Sequence, residues 1–258
     1  MIDTPAWDPD QYQRFRAHRD RAALDLLSRL PEAAPGEIWD LGCGTGEHAA
    51  MMKRRWPGAA VRGLDSSAEM LARARALPDE VEWIQGDAGA WAPERPADLI
   101  LANASLQWLP DHGALFGQIA DQLAPGGVFA CQMPMAFETR HHTIMRETAA
   151  EGPWAGALEG VDVIAPLLAP EGYYDALAGV CSDIDLWSTT YLQVLDGEDA
   201  VLEWMKGTAL RPYLTALSGE MQDAFLSALS EQLSDAFPRR PDGTTLMPFP
   251  RLFVIARR

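Results

Sequence analysis

Cysteine is scarce in this chain: three in 258 residues, Cys43, Cys131 and Cys181, with no CxxC pair among them. That pattern supports neither a disulfide framework nor a cysteine-ligated zinc site, and the three read as small buried hydrophobes. Positive charge is short as well, 21 Lys and Arg against 37 Asp and Glu, for a formal net charge of -16. Binding to duplex nucleic acid or to an anionic membrane draws on a positive face that such a chain can hardly build. Also missing is an uncharged apolar run of about 18 residues, the length a membrane helix needs. The stretch from Met1 to Gln11 has neither the apolar core nor the small-residue cleavage site of a secretory leader. The expectation is a cytoplasmic protein that acts on a small molecule, with no nucleic acid and no membrane among its partners; its oligomeric state is unknown from sequence.

What is present is a core. Apolar residues make up 48% of the chain, enough to bury a full α/β domain. The first segment, Tyr12 to Leu30, carries Phe15, Ala22, Ala23, Leu26, Leu27 and Leu30 at helical spacing and stops at Pro31. Short apolar runs then alternate with helical patterns. The runs are Ile38 to Leu41, Ala60 to Leu64, Val81 to Gln85, Ala97 to Asn103 and Gly127 to Met133, and helices are expected around 47–55, 67–76 and 112–123. This is the rhythm of βαβ units. Beyond Pro134 we expect helices near 139–150, 173–179, 198–210 and 218–236, with strands at Ile184 to Tyr191 and Arg251 to Ala256. The fold class is therefore α/β: a Rossmann-like, seven-stranded, mostly parallel sheet with helices on both faces. The expected domain is single, 1–258, with a cofactor-binding core over 31–134 and a helical cap drawn from 135–182 and 192–250.

The strongest chemical signal is Ile38-Trp39-Asp40-Leu41-Gly42-Cys43-Gly44-Thr45-Gly46, a strand running into a glycine-rich turn that opens a helix. Glycines there admit close approach of a ligand to the backbone and present the N–H groups of a helix start. Asp65 closes the next strand about twenty residues further on, where a carboxylate accepts from ribose hydroxyls. Asp40 sorts the cofactors: a carboxylate before the turn repels a dinucleotide pyrophosphate and suits an ammonium group, which leaves NAD as the runner-up. Asp87, at the end of the third strand, is placed to accept from an adenine amino group. Asn103-Ala104-Ser105-Leu106-Gln107-Trp108 follows the fourth strand, where ligands of open α/β sheets sit.

These residues resemble the class I S-adenosylmethionine-dependent methyltransferases and, among them, the trans-aconitate 2-methyltransferase family. The likeness spans nearly the whole chain. It includes Trp7-x-Pro9-x-x-Tyr12-x-x-Phe15, Asp65-Ser66-Ser67, Ala102 to Pro110, Gln132-Met133-Pro134, Gly172-Tyr173-Tyr174-Asp175, Leu210-Arg211-Pro212 and Phe249-Pro250-Arg251-Leu252-Phe253. The resemblance implies that Asp40, Gly42, Gly44, Asp65, Ser66, Met70, Asp87, Ala88 and Asn103 line S-adenosyl-L-methionine and its product S-adenosyl-L-homocysteine, with Arg19 on the methionine carboxylate. Met135-Ala136 departs from the family pattern, which has Asp-Asn there, and bears on which acid is taken.

O-methylation of an acid needs no general base, because the carboxylate is already a nucleophile and the sulfonium an activated donor; no catalytic residue is expected beyond positioning groups. The candidates to hold the carboxylates of a small polycarboxylate are Arg211 and Tyr174, followed by Tyr12, Trp108, Gln132 and Tyr173, arginine's fork being suited to carboxylate. Trp91 and Trp187 read as packing. His141-His142 lacks helical metal-ligand spacing and reads as a solvated helix start, with no metal expected. Two alternatives stay open: a methyltransferase for another carboxylic acid, such as a malonyl group, and a module that binds the cofactor without transferring its methyl.

Overall fold

The computed structural model describes residues 16–161 and 167–258, with the backbone alone for 16–19. Tyr12 therefore lies outside the described residues, as does the side chain of Arg19. The described chain divides into two compact units: 21–134, 167–189 and 251–258 form one, and 16–20, 135–161 and 190–250 the other.

The first unit is built on strands β1 (Glu37–Leu41), β2 (Ala60–Asp65), β3 (Glu82–Gln85), β4 (Ala97–Asn103) and β5 (Leu123–Pro134). Strands β6 (Asp183–Asp196) and β7 (Thr244–Arg257) complete a seven-stranded sheet in the order β3-β2-β1-β4-β5-β7-β6. β1 pairs in parallel with β2 and β4, β2 with β3, and β4 with β5, whereas β7 runs antiparallel to β5. The near-continuous apolar sequences of β1 and β4, with Ile38, Leu41, Leu99, Ile100 and Leu101 all buried, are what a parallel strand covered on both faces requires. β6 and β7 run well beyond the expected 184–191 and 251–256. Their extra residues alternate buried and exposed, a weaker apolar signal than the central strands give.

Helices follow the strands where the periodicity places them. α1 (Arg16–Ser28) buries Ala22, Ala23 and Leu26; α2 (Glu47–Arg55) buries Ala49, Ala50 and Met52; α3 (Ala68–Ala74) buries Leu71 and Ala74. α2 ends on Lys53, Arg54 and Arg55, cations against the negative end of its dipole. α3 begins at Ser67, whose hydroxyl accepts from the Met70 N–H at 3.3 Å. α4 (His112–Asp121) packs Phe116 between Phe129 of β5 and Tyr173 of a later helix.

In the second unit, α5 (Arg140–Ala150), α6 (Ala155–Leu158), α8 (Ala200–Lys206), α9 (Arg211–Ala216) and α10 (Gly219–Ala236) close around Trp154, Trp204, Met205, Phe225 and Leu229. α7 (Pro170–Ala178), although expected among the cap segments, belongs with the sheet-bearing unit because it packs on α4.

One expectation is overturned. His141 and His142 are not a solvated helix start: they are 1% and 5% exposed. His141 stacks on Phe249 and its ring meets Phe237 edge-on. Burial pushes both imidazoles well down, His141 to about 3 and His142 to about 4, so at neutral pH they are uncharged aromatic core residues. The sequence missed this because a neutral imidazole packs like a small aromatic ring.

All three cysteines are free and buried, and burial raises each thiol above its ordinary value, so none is a ready thiolate. Among the described residues no helix is long and apolar enough to cross a membrane, and no cluster of three or more His, Cys, Asp or Glu is placed to hold a metal.

Candidate functional site

The site is built around the turn after β1. Asp40 sits in the centre of the sheet between Gly63 of β2 and Leu101 of β4, 1% exposed, and its Oδ2 has no hydrogen-bond partner among the described residues. A buried carboxylate in that state is costly. Burial first, then the charge of Asp65, raises its pKa to about 7, against the opposing effect of a backbone hydrogen bond from Ala49.

The chain then reverses. The N–H groups of Gly42 and Cys43 both donate to the Leu64 carbonyl, at 2.7 and 3.0 Å, and the Gly44 N–H donates to Asp65 Oδ2 at 2.8 Å. Gly42 has a positive φ of 72°, and a Cβ there would lie 2.2 Å from the Cβ of Ser105, whose hydroxyl donates to the Leu41 carbonyl at 2.6 Å. Gly44 also has a positive φ, 56°, but its missing Cβ would meet nothing within 4 Å. Gly42 is thus required by packing, while Gly44 borders open space.

Asp65 does double work. Its Oδ2 ties the turn and its Oδ1 accepts from the Ser67 N–H at 2.8 Å, so the carboxylate locks the loop that follows β2. Ser66 is exposed, its carbonyl accepting from Gln85 Nε2 at 3.1 Å, and Met70 is half-buried on α3. Asp87 is exposed after β3, its Oδ1 accepting from the Gly89 N–H at 2.8 Å, and Ala88 beside it is half-buried. Because β3, β2, β1 and β4 are neighbours in that order, Asp87, Asp65, Asp40 with its glycine turn, and Asn103 follow one another along the carboxyl edge of the sheet. At the ordinary strand spacing this edge is roughly 15 Å long.

At the end of β4, Asn103 lies beside Gln132 of β5 in the strand register. Gln132, a substrate candidate, is 1% exposed with both amide atoms engaged: Nε2 donates to Asn103 Oδ1 at 2.5 Å, and Oε1 accepts from Arg251 Nη1 at 3.2 Å. Tyr173 is fully buried, and its hydroxyl is 2.6 Å from His112 Nδ1, tying α7 to α4. Trp108 and Tyr174 are 44% and 51% exposed and retain the freedom to meet a substrate. Arg211 opens α9 in the other unit and is half-buried. His48 was not seen in the sequence at all, while Ser105, Gln107 and Arg251 stood in recognised motifs without an individual role. Gln107 is buried with Nε2 on the Ala104 carbonyl and Oε1 without a partner; only its place one turn after β4 hints at it.

Tyr173→Phe tests the tethering role. Losing a buried hydroxyl and stranding the His112 nitrogen costs about 1–3 kcal/mol, which is a fall in Tm of several degrees at roughly 2–4 °C per kcal/mol. The expected result by calorimetry is that fall with no change in substrate affinity; an unchanged Tm with weakened affinity would return Tyr173 to the substrate.

Two cavities lie elsewhere. One of about 290 Å³ is bordered by Asp199, Ser230, Phe237 and Arg239, and one of about 220 Å³ by Pro35, Trp56, Asp98 and Arg257. Neither touches the glycine turn, and neither gathers partnerless polar atoms as the strand ends do.

A parallel sheet with one antiparallel strand inserted in the order β5-β7-β6, and a carboxylate buried before a glycine turn, define a Rossmann-like methyltransferase class. Residues 15–175 match the methyltransferase domain family. The chain is 50% identical over 254 residues to the trans-aconitate 2-methyltransferase of Azoarcus sp. (strain BH72), covering 98% of this chain and 100% of that one. It is 43% identical to the enzyme of the same name from Acidovorax ebreus (strain TPSY), with 98% of each chain covered. In fold it resembles the YcgJ protein of Bacillus subtilis, with a TM-score of 0.59 at 15% identity over 93% of this chain and 99% of that one. The chain belongs to the methyltransferase family, among the trans-aconitate 2-methyltransferases.

Proposed function

We propose that the protein transfers a methyl group from S-adenosyl-L-methionine to one carboxylate of trans-aconitate, or of a closely similar small polycarboxylate, forming a monomethyl ester in the cytoplasm. The single observation that carries the cofactor half is Asp40: a carboxylate 1% exposed, with one oxygen lacking a partner among the described residues, fits a ligand that brings its own cation. The amino acid ammonium of the cofactor is that cation. The open space beside Gly44 fits the same ligand, and the roughly 15 Å strand-end row fits a nucleoside joined to an amino acid. In this reading Asp65 and Asp87 face the ribose and adenine, with Ser66, Met70 and Ala88 along the loop edges and Asn103 near the methionine end; the assignment of Arg19 to the methionine carboxylate rests on the resemblance alone.

When bound, the cofactor supplies a methyl group already activated on a sulfonium. The chain's part is to hold a substrate carboxylate oxygen in line with it, about 3 Å from the methyl carbon, and to exclude water. No residue needs to remove a proton. For the remaining carboxylates the candidates are Tyr174 and Trp108, both exposed on the sheet-bearing unit, together with Arg211 and Tyr12, which rest on the resemblance alone.

The test is methyl transfer from labelled S-adenosyl-L-methionine to trans-aconitate, cis-aconitate, isocitrate and citrate, with a malonyl-loaded carrier protein alongside. Preferential monomethylation of trans-aconitate is expected. Arg211→Ala is then expected to raise KM for the acid about ten- to a hundredfold, the worth of a charge-assisted hydrogen bond, with little change in cofactor affinity. Cofactor binding without transfer to any of these acids would overturn the proposal.

A further inference from the structure

At the carboxyl ends of β4 and β5, and on the antiparallel strand β7 beside them, Asn103, Gln132 and Arg251 form a line in which every donor and acceptor is dictated by the arginine at its end. Arg251 is 4% exposed and pairs in register with Pro134, two residues from Gln132. Its guanidinium has only donors, so the Gln132 atom 3.2 Å from Nη1 must be the amide oxygen. The Gln132 amide nitrogen is then turned to β4, and the Asn103 atom 2.5 Å from it must be the carbonyl oxygen. What remains of Asn103 is its NH2, 3.5 Å from His48 Nδ1 at the start of α2. Facing a donor, that ring nitrogen accepts, and the imidazole proton sits on Nε2. The polarity runs one way, from Arg251 through Gln132 and Asn103 to His48.

We infer that Arg251 is a positioning residue for the reaction: through Gln132 it fixes the Asn103 amide with its oxygen capped and its NH2 outward, and so makes the end of β4 a hydrogen-bond donor. Resting on the proposed function, this means that the ligand atom brought against Asn103 is an acceptor, a carboxylate oxygen. The acid substrate and the methionine moiety both offer one. An amide left to choose its own orientation would present a carbonyl to that oxygen half the time, and two acceptors repel.

Gln132→Glu reverses the line. A glutamate keeps the bond to Arg251 but can only accept from Asn103, so Asn103 must turn its NH2 to β5 and its oxygen toward His48, whose Nδ1 must then carry a proton. Nitrogen spectra of histidine-labelled protein without ligand read this directly. The wild type is expected to show a pyridine-like Nδ1 and a pyrrole-like Nε2 at His48, and Gln132→Glu the reverse. Arg251→Lys, still only a donor, should keep the wild-type tautomer, and Arg251→Met should lose its uniqueness. In binding and turnover, Gln132→Glu is expected to weaken either KM for the acid or Kd for the cofactor about tenfold, with kcat held within about twofold, and which of the two moves identifies the carboxylate. A protonated Nδ1 in the wild type would overturn the inference, even if the variants fail to fold, as would an unchanged tautomer in folded Gln132→Glu. Because the spectra are taken without ligand, they stand or fall apart from the identity of the acid.

Discussion

Asp40→Asn is expected to weaken S-adenosyl-L-methionine binding roughly a hundred- to a thousandfold while making the ligand-free protein more stable at pH 8. The binding loss follows from removing the anion that faces the ligand's ammonium in a site with almost no solvent, where breaking a buried charge pair costs on the order of 3–5 kcal/mol. The stability gain follows from the sign of the pKa shift. Burial and then Asp65 raise the Asp40 pKa from 3.8 to about 7, so the folded chain holds a proton that the unfolded chain gives up. That contribution is present in full below about pH 4, the unfolded value, and is lost as pH rises through about 7. Asparagine has no charge to bury, so the two proteins should melt alike near pH 4, and the variant should exceed the wild type at pH 8. The full shift sets a ceiling of about 4 kcal/mol, or a Tm gain on the order of ten degrees. In the wild type, cofactor Kd should rise by up to about tenfold for each pH unit below 7, as Asp40 takes up its proton. Melting curves and calorimetric titration between pH 5 and 8 check both halves. A variant that binds normally, or one less stable than wild type at pH 8, would remove Asp40 from the site.

The centre of this fold was legible because its physics is local. Ile38 to Leu41 and Ala97 to Asn103 are apolar runs that only a doubly covered strand tolerates, and the turn from Gly42 to Gly46 demands residues that accept positive φ. What was not legible depends on contacts between residues far apart in sequence. Gln132 reads as a polar group at a strand end and therefore as a ligand for substrate, but Arg251, 119 residues later, takes its oxygen. Tyr173, a substrate candidate through the Gly172-Tyr173-Tyr174-Asp175 motif, has its hydroxyl 2.6 Å from His112, 61 residues earlier. The pair His141-His142 misleads for a different reason: sequence reading assigns a histidine to water, whereas in the core it packs as a neutral ring. In each case the residue type was seen correctly and its partner was not, and the partner decides whether a polar atom is spent inside the protein or left for a ligand.

Gly42 and Gly44 separate these two uses of a residue, and alanine at each is expected to fail in a different way. At Gly42 the new Cβ would stand 2.2 Å from Ser105 Cβ and 2.9 Å from its hydroxyl, on a backbone with φ of +72°. Either the turn or the end of β4 must move, and the bond from Ser105 to the Leu41 carbonyl goes with it. Overpacking at about 1–3 kcal/mol adds to about 1–2 kcal/mol for the left-handed conformation, so Tm should fall on the order of ten degrees. At Gly44 only the second cost applies, because the Cβ meets nothing within 4 Å. Gly44→Ala should therefore melt only a few degrees low. The space it fills is where the proposed cofactor approaches the backbone, so its Kd should rise at least about a hundredfold, and the shift in Tm produced by saturating ligand should shrink accordingly. The informative quantity is the ratio of the two losses. Gly42→Ala loses mostly stability and Gly44→Ala mostly affinity, so a Gly44→Ala protein that binds as tightly as wild type would move the cofactor off this turn, however well the rest of the chain matches its family.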